Sequence, residues 1–347
     1  MCEAKQKLDW RAFEFILNHL AKISTSKKWK GHYVRAVDGT KLRLPRTADI
    51  LKNFPTRYQS RYDTEEHAPL AVLVTSIDVL NGRPVGAMLG NKHSSERSFA
   101  SELIKAHAEG TVNLLDRGFE GIDFLSGIEA LKQFYIVRSK IPVGNNIYSQ
   151  FETSRSREIT TVQTSKKTNA SIHIRLIKGR RLKNGRSLIV ATNLLDSVKY
   201  PASEILKLYS QRWKIETVYG RSKTLLEIEN FRSRTENGLR QEIFANLIII
   251  SMAASLVERA QDFNENKQKQ PNTKGAIETI KNYLHKLMNS KIKIRKLISE
   301  LLERVGKIFC TVQPNRSFAR YSRRPINRWS FAKRDKIKKS KMGARYD

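Results

Sequence analysis

Apolar positions recur along this chain first at helical and then at strand spacing. Over residues 5–23, Leu8, Phe13, Phe15, Ile16, Leu20 and Ile23 repeat at roughly helical intervals, which predicts an amphipathic helix. Residues 32–37 form a short extended run that stops at Asp38-Gly39-Thr40, a turn signal, before 41–44 alternates and Pro45 ends it. Two strands joined by a tight connection are predicted there. The apolar run 69–80 meets Asn81-Gly82, the strongest short hairpin signal, and resumes over 84–89. Ser94 or Ser95 then offers an N-cap ahead of Glu96, and Phe99, Leu103 and His107 recur at fours, predicting a helix over 96–108 closed by Gly110. Residues 111–115 read as a buried strand ending at Asp116-Arg117-Gly118-Phe119, followed by a helix over 122–131 and a strand over 134–137. The order strands, helix, strand, helix, strand argues for an α+β or mixed α/β core built on one mixed sheet.

From 139 to 195 the character changes. Ser, Thr, Asn, Lys and Arg dominate, 171–177 alternates, and Asn184-Gly185 marks another hairpin, so a polar β-rich insertion is predicted. Helices over 201–226 and 239–260 follow. The stretch 264–273 has no apolar periodicity and reads as a linker. Two basic helices, 275–288 and 292–308, precede a tail. The resulting division is a short N-terminal helical segment (1–30), a first core part (31–138), the insertion (139–200), a second core part (201–261), a linker (262–273) and basic C-terminal helices with a tail (274–347).

Charge narrows the class of partner. Sixty-five Lys and Arg against 33 Asp and Glu leave a formal net charge of +32, so a polyanion is expected, with an anionic membrane surface as the rival. The longest apolar run, 244–257 with Asn246 inside it, is too short to span a hydrocarbon core and is expected to be a buried helix; no membrane span and no signal peptide are predicted. Cys2 and Cys310 are too few for a disulfide framework or a cysteine-based zinc site, which suggests a reducing, cytosolic compartment.

The candidate chemistry lies in the helix predicted over 201–226. Tyr209, Arg212, Glu216 and Lys223, at offsets of 0, 3, 7 and 14, fall within an arc of about 60° on one helix face. A carboxylate can hold a metal ion, two cations can grip phosphate oxygens, and a phenol can stack on or hydrogen-bond to a nucleotide. A merely solvated polar face is the competing reading. Asp38 and Asp116 each end an apolar run with a glycine within two residues, a placement that suits a ligand at a sheet edge as well as it suits a plain turn or an ion pair with Arg117. Phosphodiester chemistry uses two divalent ions about 3.5–4 Å apart, and magnesium is satisfied by two or three carboxylates plus water. Asp38, Asp116 and Glu216 supply that number.

The Tyr209, Arg212, Glu216, Lys223 spacing, preceded by Val37-Asp38-Gly39-Thr40 and Leu115-Asp116-Arg117-Gly118-Phe119, resembles the DDE transposases of bacterial insertion sequences, in particular the insertion-sequence-four group. The resemblance runs over about 33–260 and takes in Ser95-Glu96-Arg97, Tyr200-Pro201, Arg232-Ser233-Arg234 and Gln241-Glu242-Ile243. It implies a ribonuclease-H-like core with the first Asp on the first strand, the second on the fourth, a β-rich insertion, and the Glu on a later helix. It implies metal binding and catalysis by Asp38, Asp116 and Glu216, with two magnesium ions or manganese in their place. DNA contacts are implied for Tyr209, Arg212 and Lys223, and expected for Arg117, Arg232 and Arg234. Double-stranded DNA, as element ends and as target, and a homodimer joining two ends follow as expected partners.

A metal-dependent nuclease on the same fold and a basic DNA-binding remnant stay open as alternatives. Only 37 residues precede Asp38, which predicts weak discrimination of element ends. No Trp lies between Asp116 and Trp213 to stack on a flipped base, so Tyr148 or Phe151 is expected to serve if a hairpin forms. His67, His93 and His107 lack metal-ligand spacing and are expected to be structural or surface residues. Residues 179–186 form no phosphate-binding Walker loop and read as a basic hairpin. The segment 314–347, with twelve Lys and Arg, is either a solvated tail or a DNA-gripping one.

Overall fold

The computed structural model describes residues 7–23, 27–56, 58–59, 64–65, 68–139, 146–181, 185–262, 269–287 and 294–311. Its strands are β1 (Val34–Arg43), β2 (Tyr58–Gln59), β3 (Thr64–Glu65), β4 (Leu70–Asp78), β5 (Arg83–Asn91), β6 (Val112–Leu115), β7 (Phe134–Arg138), β8 (Glu158–Thr164), β9 (Ser171–Arg181), β10 (Ser187–Thr192), β11 (Lys269–Pro271) and β12 (Phe309–Thr311). Its helices are α1 (Arg11–Ile23), α2 (Ala48–Asn53), α3 (Glu96–Lys105), α4 (Ile122–Ala130), α5 (Asn146–Thr153), α6 (Ala202–Ser210), α7 (Lys214–Thr224), α8 (Glu236–Asp262), α9 (Thr273–Leu287) and α10 (Ile294–Lys307).

Eight strands form one mixed sheet in the order β5-β4-β1-β6-β7-β10-β9-β8. The pairs β1–β6 and β6–β7 are parallel and the other neighbours antiparallel. The strands β5-β4-β1-β6-β7 make the ribonuclease-H-like core expected from the sequence. The strands of 158–192 do not form a separate layer; β10 pairs with β7 and carries the sheet onward. β4 is buried at all but its first position because both faces of the sheet are covered. One face packs against α6, α7 and α8 through residues such as Ala36, Ile205, Ile215 and Phe244. The other packs against α3, α4 and α5 through Val37, Leu103, Leu125 and Phe151.

Two expectations are corrected and a third is extended. Asp38-Gly39-Thr40 is no turn: β1 runs straight through it, with Asp38 opposite Thr75 and Gly39 opposite Val74 in a nine-residue ladder with β4. The long ladder outweighs the local turn preference of the tripeptide. The helix predicted over 201–226 is broken by a 3-10 turn, Gln211–Trp213, into α6 and α7. The apolar run 244–257 lies within a 27-residue helix, α8, which by length and composition could cross a membrane. As expected for the run, α8 is a core helix, whose Leu239, Ile243, Phe244, Leu247 and Ile250 pack under the sheet. Its second half carries α9 and α10 through Ala253, Ala260, Ile277, Ile280 and Val305. Of the predicted linker, 263–268 lie outside the described residues, as does the tail 314–347; residues 269–271 form β11, paired with β12.

Candidate active site

Alternation along β1 sets the first carboxylate. Val34, Ala36 and Leu42 belong to the core under α6–α8 while Val37 belongs to the opposite core, so Asp38 projects toward the helices. Gly39 then faces the other side, where a Cβ would come within 2.8 Å of the Glu96 Cδ; absence of a side chain lets α3 approach the strand there. Asp116 follows β6, in chain order the fourth strand of the sheet, and opens the 3-10 turn Arg117–Phe119. Arg97 braces that turn, donating from Nε (2.9 Å) and Nη2 (2.8 Å) to the Gly118 carbonyl and from Nη2 (2.6 Å) to the Glu120 carbonyl.

Arg212 is the common partner of the carboxylates. Its Nη1 lies 3.5 Å from Asp38 Oδ2 and its Nη2 3.2 Å from Glu216 Oε1, with only 9% of the side chain exposed. Burial acts against its charge, but Tyr209, Asp116, Asp38 and Glu216 together more than offset this and raise its pKa. Burial first, and then the charges of Asp116 and Glu216, push the Asp38 carboxyl up, the Gly39 N–H and Arg212 pull it down, and the net value is about 6. The Gly39 N–H donates to Asp38 Oδ1 at 2.9 Å.

Tyr209, in the last turn of α6, is buried, and its hydroxyl donates to the Leu115 carbonyl at 3.3 Å, tying α6 to the residue before Asp116. Burial raises its phenol to about 12. Tyr219, one turn beyond Glu216, donates to the Asp38 carbonyl at 2.6 Å. Lys223 donates to the Lys41 carbonyl at 3.0 Å, so the second end of α7 is tied to the same strand three residues along. The 3-10 turn thus leaves Arg212, Glu216 and Lys223 facing β1, while Tyr209 serves as an anchor packed in the core.

Other predicted site residues lie apart. Arg117 is exposed on its turn, and Arg232 and Arg234 are exposed on the loop before α8. That loop is held by the Glu242 carboxylate, which accepts from the backbone N–H groups of Arg232 and Ser233 at 3.0 Å, and by Thr47, whose hydroxyl donates to the Arg234 carbonyl at 2.7 Å. Tyr148 and Phe151 are buried among core residues, so neither is free to stack on a base. His107 is half-buried in a hydrogen-bond network, His93 is exposed, and His67 lies outside the described residues. The sequence reading missed Tyr219 and the bracing role of Arg97. Tyr219 carries a local signal, three residues after Glu216, whereas the contacts of Arg97 exist only in the folded chain.

Among the described residues no three His, Cys, Asp or Glu side chains are gathered closely enough to hold a metal ion as they stand. The guanidinium of Arg212 occupies the space between two of them. The donor set nevertheless fits a hard divalent cation: three carboxylates share one half-buried region, and two of them raise the pKa of the third.

The family model described as a transposase DDE domain matches residues 29–252. The chain is similar to the transposase InsG for insertion sequence element IS4 of Escherichia coli K12, 21% identical over 263 residues covering 72% of this chain and 59% of that protein. It is also similar to the putative transposase y4zB of Sinorhizobium fredii, 25% identical over 202 residues covering 55% and 50% of the two chains. The chain therefore spans half to three fifths of the length of these relatives. Among solved structures, a piggyBac transposase synaptic complex with hairpin DNA aligns with a TM-score of 0.49 at 10% identity, over 85% of this chain and 61% of that one.

Proposed function

This chain belongs to the transposase DDE domain family, and from that premise we propose that it is a DNA transposase which cuts at insertion-sequence ends and joins the freed ends to target DNA. The observation that carries this reading is the Arg212 guanidinium held between Asp38 of β1 and Glu216 of α7, with Asp116 near enough to act electrostatically on both Arg212 and Asp38. In the first step a water oxygen forms a bond to phosphorus and the 3′-oxygen leaves as a hydroxyl. In the second that hydroxyl attacks a target phosphodiester and displaces the target strand's own 3′-oxygen. Phosphodiester number is conserved in the second step, so no external energy source is required.

Members of this family use divalent metal ions. Here Asp38, Asp116 and Glu216 would hold them, with two magnesium ions as our reading and manganese as a substitute. Such ions, when bound, supply Lewis-acid stabilisation of the attacking and leaving oxygens. The chain's own residues set the rest. Tyr209 and Tyr219 fix the backbone beside the two aspartates, and Arg97 holds the turn after Asp116. Arg212 neutralises the carboxylates in the free protein and is positioned to turn its fork to phosphate oxygens. Lys223, Arg117, Arg232 and Arg234 contact the DNA backbone in this reading, and a homodimer brings two ends together. A cytoplasmic location at the nucleoid accords with a DNA substrate.

The test is an assay with labelled element ends, magnesium and supercoiled target DNA. Joined product is expected from the wild-type chain, whereas cleavage without joining identifies a nuclease and binding alone a non-catalytic remnant. Glu216→Ala, Asp38→Ala and Asp116→Ala are each expected to abolish cleavage with little loss of DNA affinity, since each removes a metal ligand and no phosphate contact. Wild-type cleavage by any one of them removes that residue from the catalytic set.

A further inference from the structure

On the far side of α7 from Glu216 a cavity of about 420 Å³ opens toward the second half of α8 and β11. Lys27, Lys214, Arg221 and Lys269 line it, and among the described residues Glu258 is the one carboxylate in its wall. Lys214 and Arg221 stand at offsets of −2 and +5 from Glu216, roughly 140–160° around the helix axis, so this cationic face is distinct from the one that meets Asp38.

Among the described residues the charge of Arg221 is not matched within the cavity. Glu258 already faces Lys27 at 3.3 Å and Arg83 at 4.0 Å. Lys214 uses two of its three donors on the Val79 carbonyl (2.9 Å) and Gln211 Oε1 (3.1 Å). The Arg221 guanidinium has no hydrogen-bond or ion-pair partner among the described residues. Burial lowers the pKa of Arg221, the cation of this cavity that lies farthest along α7 from Glu216. A half-buried cation without a partner costs stability, and it is the kind of cost retained where a ligand supplies the missing charge.

We propose that this cavity is a phosphate-binding subsite, separate from the carboxylate cluster, in which Arg221 takes two phosphate oxygens and Lys214 with Lys269 neutralises the remaining charge. The planar fork of arginine matches two oxygens of a tetrahedral anion, and the adjacent ammonium groups act as point charges. The phosphate comes either from a DNA backbone crossing the second face of α7 or from a free phosphate ester. The DNA source rests on the transposase reading, while the anion chemistry does not.

The experiment compares the full-length wild-type chain with Arg221→Gln and Arg221→Lys in two measurements. One is the dependence of duplex affinity on salt, and the other is the thermal midpoint in inorganic phosphate against chloride of matched ionic strength. For a DNA backbone phosphate, Arg221→Gln lowers the slope of log affinity against log salt by about one, since each neutralised phosphate contributes about 0.9, and Arg221→Lys restores most of it. For a free phosphate ester the slope is unchanged, but phosphate raises the wild-type midpoint above its chloride control and Arg221→Gln loses that rise. An unchanged slope together with no phosphate-specific stabilisation overturns the proposal. Lys269→Gln, on the exposed rim, is read in the same way if Arg221→Gln does not fold. A wild-type chain that fails to bind duplex at all defeats the transposase reading, and the phosphate measurement still decides the cavity.

Discussion

Arg212 is one side chain answering several acids, and that arrangement makes its removal measurable apart from catalysis. Arg212→Ala leaves Asp38 and Glu216 without the guanidinium that faces both of them. A loss of about 1–3 kcal/mol in urea unfolding at pH 7.5 is expected, the cost of leaving a partly buried charged group unmatched. The sign with pH follows from Asp38. Its folded-state pKa, about 6, is above the ordinary carboxylate value of 3.8, so its contribution favours the folded state at low pH and is lost as pH rises through 6. The Arg212→Ala deficit should accordingly shrink at pH 5, where Asp38 is protonated, and an equal deficit at both pH values would show that the pair is not coupled. His107 has the opposite sign. Its Nδ1 donates to Asn113 Oδ1 at 2.9 Å, and its Nε2 shares a hydrogen bond of 2.8 Å with the Ser76 hydroxyl. Burial lowers its pKa from 6.5 to about 4. Between those values the unfolded chain binds a proton that the folded chain does not, so acidification from pH 7 to 5 is expected to cost about 2 kcal/mol through this residue. His107→Gln should remove that part of the pH dependence in urea titrations, and an unaltered pH profile in the variant would refute the assignment.

At the scale of elements, the site depends on how short segments are braced. The turn after Asp116 is three residues long and takes three hydrogen bonds from Arg97 on α3. Arg97→Ala is therefore expected to speed amide hydrogen exchange at 117–121 while leaving β6 protected, and to slow cleavage by about tenfold or more, since displacement of a reacting group by an ångström is that costly. Faster exchange with unchanged cleavage would mean that the turn does not position Asp116. Hairpin and capping signals were legible in the chain itself: Asn81-Gly82 joins β4 to β5, with Gly82 at φ +68, and the Ser95 hydroxyl caps α3 by accepting from the Ser98 N–H. That Glu216 stands on a helix was equally readable. What could not be read is long-range. Asp38-Gly39-Thr40 carries a local turn signal that only the β4 ladder overrides, and nothing in the composition of Gln211-Arg212-Trp213 marks the break between α6 and α7. Burial of Tyr209, Tyr148 and Phe151 likewise follows from which faces the sheet covers, and aromatic residues in polar sequence surroundings look available until it does.

Over the whole molecule the excess of positive charge exceeds what the site accounts for. Part of the net charge of +32 lies in Arg117, Arg232 and Arg234 on exposed loops, in the cations lining the cavity behind α7, and in the twelve Lys and Arg of the sequence 314–347. Contacts of this kind act on phosphates and carry no sequence information, whereas discrimination needs base edges or duplex shape. Affinity for random duplex should therefore be high in dilute salt and fall steeply. If the chain neutralises six to ten phosphates, log affinity against log salt has a slope of about −5 to −9, and affinity drops about 10³-fold or more between 50 and 200 mM salt. Fluorescence anisotropy with a labelled random duplex, repeated across that range, measures the slope, and competition by an element-end duplex at physiological salt measures the preference. A slope shallower than about −3 would mean that most of the charge faces no phosphate. A preference below about 10³-fold is expected of backbone contacts alone, and a larger one would require base readout by elements beyond those assigned to DNA in this chain.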